Sequence, residues 1–221
     1  MAGDKVSVII PLYNKAPYIA ETLLSVRNQT YENVELIVVD DGSTDNGPEI
    51  ADSCGAWVLD NQATGPSEAR NTGVRFSTGR LILPLDADDW IDPTYLEKTV
   101  PICAENGVGI VSTDMVRFGK VNDVLPARPL TVEEEKNANE IPCCSLIKRE
   151  AFVQAGGYNS RADGYEDWDL WIDILKRGWK HRVVNEPLFH YRVLGNANNA
   201  RADERREELI KIIHELHPEV Y

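Results

Sequence analysis

The sequence has no excess of basic residues. Its 221 residues carry 23 Lys and Arg against 36 Asp and Glu, a formal net charge of -13. Nucleic-acid binders usually present a basic face, so that class is disfavoured. The same balance leaves no polybasic patch for an anionic membrane. No apolar run approaches the roughly 20 residues that span a bilayer. Met1-Ala2-Gly3-Asp4-Lys5 lacks the basic and apolar regions of a signal peptide. The expectation is a cytoplasmic protein without a transmembrane segment. Four cysteines, Cys54, Cys103, Cys143 and Cys144, show no CxxC spacing, so neither zinc nor a redox dithiol is indicated. Reduced thiols packed as small hydrophobes fit better. A glycine-rich fingerprint is also missing. The first apolar run ends in Pro11-Leu12-Tyr13-Asn14, which offers nothing to a dinucleotide pyrophosphate.

What is present centres on Asp86-Ala87-Asp88-Asp89. This stretch follows Leu81-Ile82-Leu83-Pro84-Leu85, an apolar run that reads as a buried strand. Like charges about 4 Å apart repel by roughly 1 kcal/mol in water and more where solvent is scarce, so the cluster asks for a cation. Hard divalent ions such as Mg²⁺ or Mn²⁺ prefer oxygen ligands, and Mg²⁺ is usually held by one or two carboxylates plus substrate phosphates. The plainer reading is a solvated acidic turn before a helix, with Asp92 as N-cap and Pro93 at N1. It accounts for Asp92 but not for Asp86 and Asp88 at the mouth of an apolar strand.

Strands and helices alternate through the first half. Val6–Ile10 and Leu36–Val39 read as buried strands. Between them Tyr18, Ile19, Thr22, Leu23 and Val26 recur at helical spacing, the pattern of a βαβ unit. A helix over 45–53 and a strand at Trp57-Val58-Leu59 repeat it. Ser67 is expected to cap a further helix ending near Gly79. Open parallel sheets bind ligands at the carboxyl ends of their strands. Pro11–Asn14, Asp40–Ser43 and Asp86–Asp89 all fall at such ends. A helix over 93–105 follows, carrying Pro101, and then a strand over 108–112. Residues 119–140, with Glu133-Glu134-Glu135, show little periodicity and read as a flap or as a plain solvated loop.

Beyond it, Gly156-Gly157 stops a short helix. Trp168, Trp171, Ile172 and Leu175 make one apolar helical face, ended by Gly178, so both tryptophans read first as core. The macrodipole favours Glu166 and Asp167 at that helix start. Val183-Val184 and Leu188–Val193 are expected closing strands, with His190 a structural residue rather than a metal ligand. Leu209, Ile212, Ile213 and Leu216 form an amphipathic stripe. It should dock on the domain, or on a second copy as a homodimer, rather than on a membrane.

The motifs Val6-Ser7-Val8-Ile9-Ile10-Pro11-Leu12-Tyr13-Asn14, Val38-Val39-Asp40-Asp41-Gly42-Ser43-Thr44-Asp45, Gly65-Pro66 with Ala69-Arg70-Asn71 and Gly73, Leu85-Asp86-Ala87-Asp88-Asp89-Trp90, Gly156-Gly157-Tyr158 and Glu166-Asp167-Trp168-Asp169 occur in this order. Together they make the chain resemble the inverting nucleotide-sugar glycosyltransferases of family 2. The resemblance implies the GT-A fold: α/β, Rossmann-like, one domain, with a mixed, mostly parallel sheet sandwiched by helices. It divides the chain into a domain over 1–195 and a helical tail over 196–221. Within the domain, 5–112 would bind the nucleotide sugar and 113–195 the acceptor.

It further implies a nucleotide site of Pro11, Tyr13, Asn14, Asp41, Arg70, Asp86, Ala87 and Asp88. Tyr13 would stack on the base and Asp41 would accept the imide N–H of uracil. Arg70 would reach the uracil or diphosphate with its fork, and Asp86 would touch the ribose. Asp88 and then Asp89 would hold Mn²⁺ or Mg²⁺. Asp167 would be the catalytic base, and Glu166, Trp168 and Asp169 would bind the acceptor. The implied reaction moves a hexose, with a UDP-sugar as favoured donor, to a glycan, lipid-linked or small-molecule acceptor hydroxyl in polysaccharide or glycan assembly. Many relatives carry a histidine shortly after the Tyr-Arg pair, whereas Tyr191-Arg192 leads into Val193-Leu194-Gly195-Asn196. A haloacid-dehalogenase-type phosphatase also uses a strand-end Asp-x-Asp. It wants Thr or Val where Trp90 stands, and it places the motif near the start of its domain. A sugar-nucleotide-binding module without strong catalysis is the non-enzyme alternative, and retention of Asp167 beside the Asp cluster argues against it.

Overall fold

The first apolar run sets the middle of the structure, a computed structural model that describes residues 3–194 and 205–221. Strand β1 (Val6–Leu12) is buried along nearly its whole length, as expected for a strand covered on both faces. The chain then builds α1 (Ile19–Arg27), β2 (Val34–Asp40), α2 (Gly47–Ser53), β3 (Trp57–Asp60), α3 (Pro66–Phe76) and β4 (Leu81–Pro84). Strands β1 to β4 pair in parallel, with β1 between β2 and β4.

The second part adds β5 (Trp90–Ile91), α4 (Tyr95–Cys103), β6 (Val108–Gly119), β7 (Asp123–Leu125), α5 (Val132–Glu135), β8 (Leu146–Lys148), α6 (Arg149–Ala155), α7 (Glu166–Lys176), β9 (Lys180–Val193) and α8 (Arg206–Leu216). Among the described residues the nine-stranded sheet runs β3-β2-β1-β4-β8-β6-β9-β5, with β7 on β6. β8 is antiparallel to β4 and to β6, while β6 and β9 are parallel.

Side-chain alternation along β1 sends Val6, Val8, Ile10 and Leu12 to one face, where they meet Leu23 of α1, Ala51 of α2 and Leu96 of α4. Ile9 joins the other face with Ala69 of α3, Phe152 of α6 and Trp171 of α7. The expected mixed, mostly parallel sheet between two helical layers is thus present.

Several boundaries differ, each for a local reason. Ser67 does not cap α3. The helix starts on Gly65-Pro66 and ends at Phe76, and the Ser67 hydroxyl donates to Asp163 instead. Helix α4 begins at Tyr95 because Asp92 accepts from the Thr94 N–H at 3.1 Å and from its hydroxyl at 2.9 Å, closing a turn first. Strand β6 runs on to Gly119 because β7 and β9 give residues 113–119 partners. The two closing strands merge into β9, whose register with β6 shifts where Asp114 faces Pro187, a residue with no N–H to give the ladder.

Residues 119–140 are not a plain solvated loop. A Thr131–Glu134 capping box starts α5. Trp168 donates its indole N–H to the Glu135 carbonyl at 2.7 Å, and Trp171 does so to Ile141 at 3.1 Å. The terminal stripe docks on this same domain, with Ile213 packed against Ala162, Trp168 and Ile172. The face offered for a homodimer is therefore already covered.

Glu135, read within a solvated acidic run, is fully buried. Burial, aided by the nearby Asp167, pushes its carboxyl up to about 8, against weak N–H donation from Glu140 and Ile141. A raised folded value means that its stabilising contribution is present at acid pH and lost as pH climbs toward 8. Wild-type unfolding free energy should therefore fall by up to about 1.4 kcal/mol per pH unit more than that of Glu135→Gln across pH 5 to 8. Urea titrations at three pH values measure the two slopes, and equal slopes would remove Glu135 from this account.

Candidate active site

Three loops leave the carboxyl ends of β1, β2 and β4 side by side, and side-chain hydrogen bonds lace them together. Asn14 sits at φ 50, a left-handed conformation that asparagine tolerates better than most residues. Its N–H donates to Ser43 Oγ at 3.0 Å, and its Oδ1 accepts from the Thr44 N–H at 2.8 Å. Asp45 accepts from the Ala16 N–H at 2.9 Å. Lys15 crosses from the first loop to the third and ion-pairs with Asp88. The loops enclose a cleft of about 540 Å³. Pro11, Tyr13, Asn14, Asp41, Arg70, Asp86, Ala87 and Asp88 all line it, joined by Lys15, Asp163, Gly164 and Arg205. At 56% exposure, Tyr13 leaves a ring face free for stacking.

Two of these residues are more committed than their sequence suggests. Arg70 is only 6% exposed. Its fork donates to Asp86 Oδ1 at 2.6 Å and to Glu166 Oε1 at 2.7 Å, with the Tyr158 ring 5.5 Å away. The fork, read as a donor to the uracil or diphosphate, already has partners within the protein. Two carboxylates hold it, and they keep the guanidinium charged against the cost of burial. Glu166 is likewise turned to Arg70 at 2.7 Å and to the Gly164 N–H at 2.6 Å. Asp41 Oδ1 accepts from Asn61 at 2.9 Å and from the Thr64 N–H at 2.8 Å, while Oδ2 takes the Gly65 N–H at 2.9 Å. That leaves Oδ2 a second lone pair for a ligand.

The acidic loop is clamped from behind. Thr22 Oγ1 donates to the carbonyls of Ala87 and Asp89 at 3.0 and 2.7 Å. Arg192 gives its backbone N–H to Asp89 Oδ1 and its Nε–H to the Asp88 carbonyl, both at 2.8 Å. Its guanidinium also packs over Phe118 at 4.5 Å and Tyr18 at 4.9 Å. Asp89 is 1% exposed and its Oδ2 has no hydrogen-bond partner among the described residues. Burial first, then the charge of Asp86, holds its carboxyl well above the usual range. Burial also raises Asp88, and Lys15 opposes that rise.

A buried, unpaired carboxylate oxygen is costly, and a cation would offset that cost. Ligand atoms of Asp86, Asp89 and Cys143 lie within 4.8 Å of one another. The oxygen donors suit Mn²⁺ or Mg²⁺. Asp88, the first-choice ligand by sequence, turns its carboxylate to Lys15 instead of into that trio.

At the start of α7, Asp167 Oδ1 accepts from Asn139 at 3.0 Å and from the Trp168 N–H at 2.8 Å. Burial and then the Glu166 charge raise it to about 7. The other two acceptor candidates face elsewhere. Trp168 is core, bonded to α5. Asp169 is buried and accepts from His217 Nε2 at 2.7 Å. His190 stacks on Trp90 with centroids 3.4 Å apart, a structural role. Sequence reading passed over Lys15 and Asp163-Gly164 although they adjoin named motifs. Cys143, Asn139 and Arg205 carried no signal.

A sheet of this order, with a carboxylate loop at its strand ends, is the GT-A arrangement. Solved structures share it. The chain superposes on TarS from S. aureus in complex with UDP-GlcNAc at TM-score 0.81, 19% identity, over 96% of this chain and 66% of that one. Glucosyl-3-phosphoglycerate synthase from Mycobacterium tuberculosis, in complex with Mn²⁺ and UDP, gives TM-score 0.71 and 22% identity over 97% of this chain and 80% of that one. An Escherichia coli protein, UDP-Glc:alpha-D-GlcNAc-diphosphoundecaprenol beta-1,3-glucosyltransferase WfaP, is 29% identical over 92% of this chain and 82% of its own length. Other relatives are longer: the matched region is 17% of GlyA from Streptococcus pneumoniae and 30% of EpsH from Bacillus subtilis. The model of glycosyl transferase family 2 matches residues 7–156. The chain belongs to that family.

Removing Arg70 would leave Glu166, 12% exposed, without its cation, and would also unpair the half-buried Asp86. Arg70→Met should therefore cost about 3–5 kcal/mol in urea unfolding, and Arg70→Lys less, since one ammonium keeps the charge but not the fork. A loss below about 1 kcal/mol for Arg70→Met, the level of a surface pair, would contradict the triad's assigned weight.

Proposed function

We propose that this chain transfers a sugar from a UDP-sugar to an acceptor hydroxyl, with a divalent metal and with inversion, in polysaccharide or glycan assembly. The observation that carries the reading is one cleft that joins the strand-end carboxylates to Tyr13 and Asp41, with Asp167 held near pKa 7 on the helix that Arg70 ties to it. The similarity to WfaP, a protein named for UDP-Glc, and to TarS solved with UDP-GlcNAc supports a uridine donor.

In this reading Tyr13 stacks on the base, and Asp41 Oδ2 accepts the imide N–H. Asp86, fixed by Arg70, meets the ribose. Asp88 and Asp89 would hold Mn²⁺ or Mg²⁺, which when bound offsets the charge that develops on the leaving diphosphate. Asp167 takes the proton from the acceptor hydroxyl, because a hydroxyl is a weak nucleophile until a base within reach accepts it. Attack on the face opposite the leaving group inverts the anomeric centre. Burial, and then the Glu166 charge, keep Asp167 protonated below about pH 7. Asn139 fixes one oxygen of Asp167, so that the other can face the acceptor.

Only the carboxylate form of Asp167 can accept a proton. The value of kcat/KM for acceptor-dependent nucleotide release should therefore rise with pH through about 7 to a plateau. A base with the ordinary value near 4 would leave it flat between pH 6 and 8. Asp167→Asn should lower kcat by about 10²–10⁴-fold with little change in melting temperature. Asp169→Asn should instead weaken the fold through His217 and spare the rate. A folded Asp167→Asn enzyme at wild-type rate would remove Asp167 from the base role. If no donor is turned over while UDP still binds, the chain is a binding module.

A further inference from the structure

Lys15 stands out among the groups that the proposed reaction leaves unused. Its ammonium sits on Asp88 Oδ2, and the two side chains are only 19% and 14% exposed. The Lys15 carbonyl accepts the N–H groups of Tyr18 and Ile19 at 2.9 and 3.0 Å, so its stem springs from a fixed point at the start of α1. It lines the same cleft as Tyr13, Asp41 and Asp88. Among the described residues it is the one cation paired with the Asp88 carboxylate. Arg192 holds that residue by its carbonyl only and pairs with Glu21. Arg205, the other unassigned cation of the cleft, pairs with Glu208 outside it.

We propose that Lys15 binds two anions in turn: Asp88 before the donor enters, and the donor's diphosphate once a divalent cation takes Asp88. The inference rests on the reading of Asp88 as a metal ligand and of the cleft as a diphosphate site. A compact ammonium and a divalent ion repel each other at one carboxylate, so the metal alone competes with an intramolecular partner. A diphosphate removes the conflict, because the flexible lysine stem can carry its charge a short way to phosphate oxygens. The consequence is coupling. Metal strengthens nucleotide binding and nucleotide strengthens metal binding by the same factor, and part of that factor belongs to Lys15.

Electron paramagnetic resonance of free Mn²⁺, with and without saturating UDP, measures the coupling on the full chain. In the wild type, UDP should tighten Mn²⁺ binding by about 5- to 100-fold. Lys15→Met should bind Mn²⁺ alone about fivefold or more tighter than the wild type and should lose a corresponding part of the gain from UDP. Lys15→Arg, which keeps the charge, should bind Mn²⁺ alone as the wild type does. Melting curves confirm that each variant is folded, and Lys15→Gln replaces Lys15→Met if the latter melts early. Wild-type coupling that persists unchanged in the neutral variants overturns the role of Lys15 alone. A wild type that binds no Mn²⁺ even with UDP overturns that role and the metal reading together.

Discussion

The structure depends on one buried guanidinium. Arg70 leaves α3 and meets Asp86 just past the end of β4 and Glu166 at the start of α7, so a single side chain fixes that strand end against the helix that carries Asp167. Taking the guanidinium and Glu166 largely out of water is expensive, and such clusters are weak evidence for stability as such. Their effect is geometric. With both ends of the Arg70 fork occupied, Asp86 and Glu166 have little freedom, and the Gly164 N–H bonds to Glu166 where Asp163 and Gly164 line the cleft.

A second constraint follows from the acidic loop itself. Burial and the Asp86 charge raise the proton affinity of Asp88 and Asp89, and the protein answers with cations and dipoles from three directions: Arg70 on Asp86, Lys15 on Asp88 and the Arg192 N–H on Asp89. The free Asp89 Oδ2 is the remainder that these partners do not satisfy. A divalent ion bound there would complete the set with the hard charge that carboxylates prefer. The same electrostatics reach Asp167, whose value near 7 arises from burial and from the Glu166 charge that Arg70 only partly offsets.

Much of this was legible in the sequence, and the rest was hidden for definable reasons. The apolar runs at β1, β2 and β4 announced a sheet buried on both faces, and their polar ends announced the cleft. Residues 119–140 were opaque because that stretch is held by single anchors, such as Leu130 and Glu135, which leave no period. Arg70 was visible as a motif residue, but its partner Glu166 lies 96 positions away, beyond any local pattern. The placing of Asp169 beside Asp167 was avoidable. Two positions along a helix turn about 200°, so the two carboxylates had to face different ways. Trp168, read first as core, is core. Ser67 looked like a cap by residue type, yet Gly65-Pro66 had already begun the helix.

The central claim is that the strand-end cleft is a metal-assisted uridine diphosphate site. Calorimetric titration of UDP and CDP, each with Mn²⁺ and with a chelator, tests it most directly. Cytosine has no imide N–H for Asp41, and an unpaired buried acceptor costs about 1–3 kcal/mol, so UDP with Mn²⁺ should bind roughly ten- to hundredfold tighter than CDP with Mn²⁺. Chelation of the metal should weaken UDP as well. CDP binding as tightly as UDP, with affinities that ignore the metal, would contradict the account.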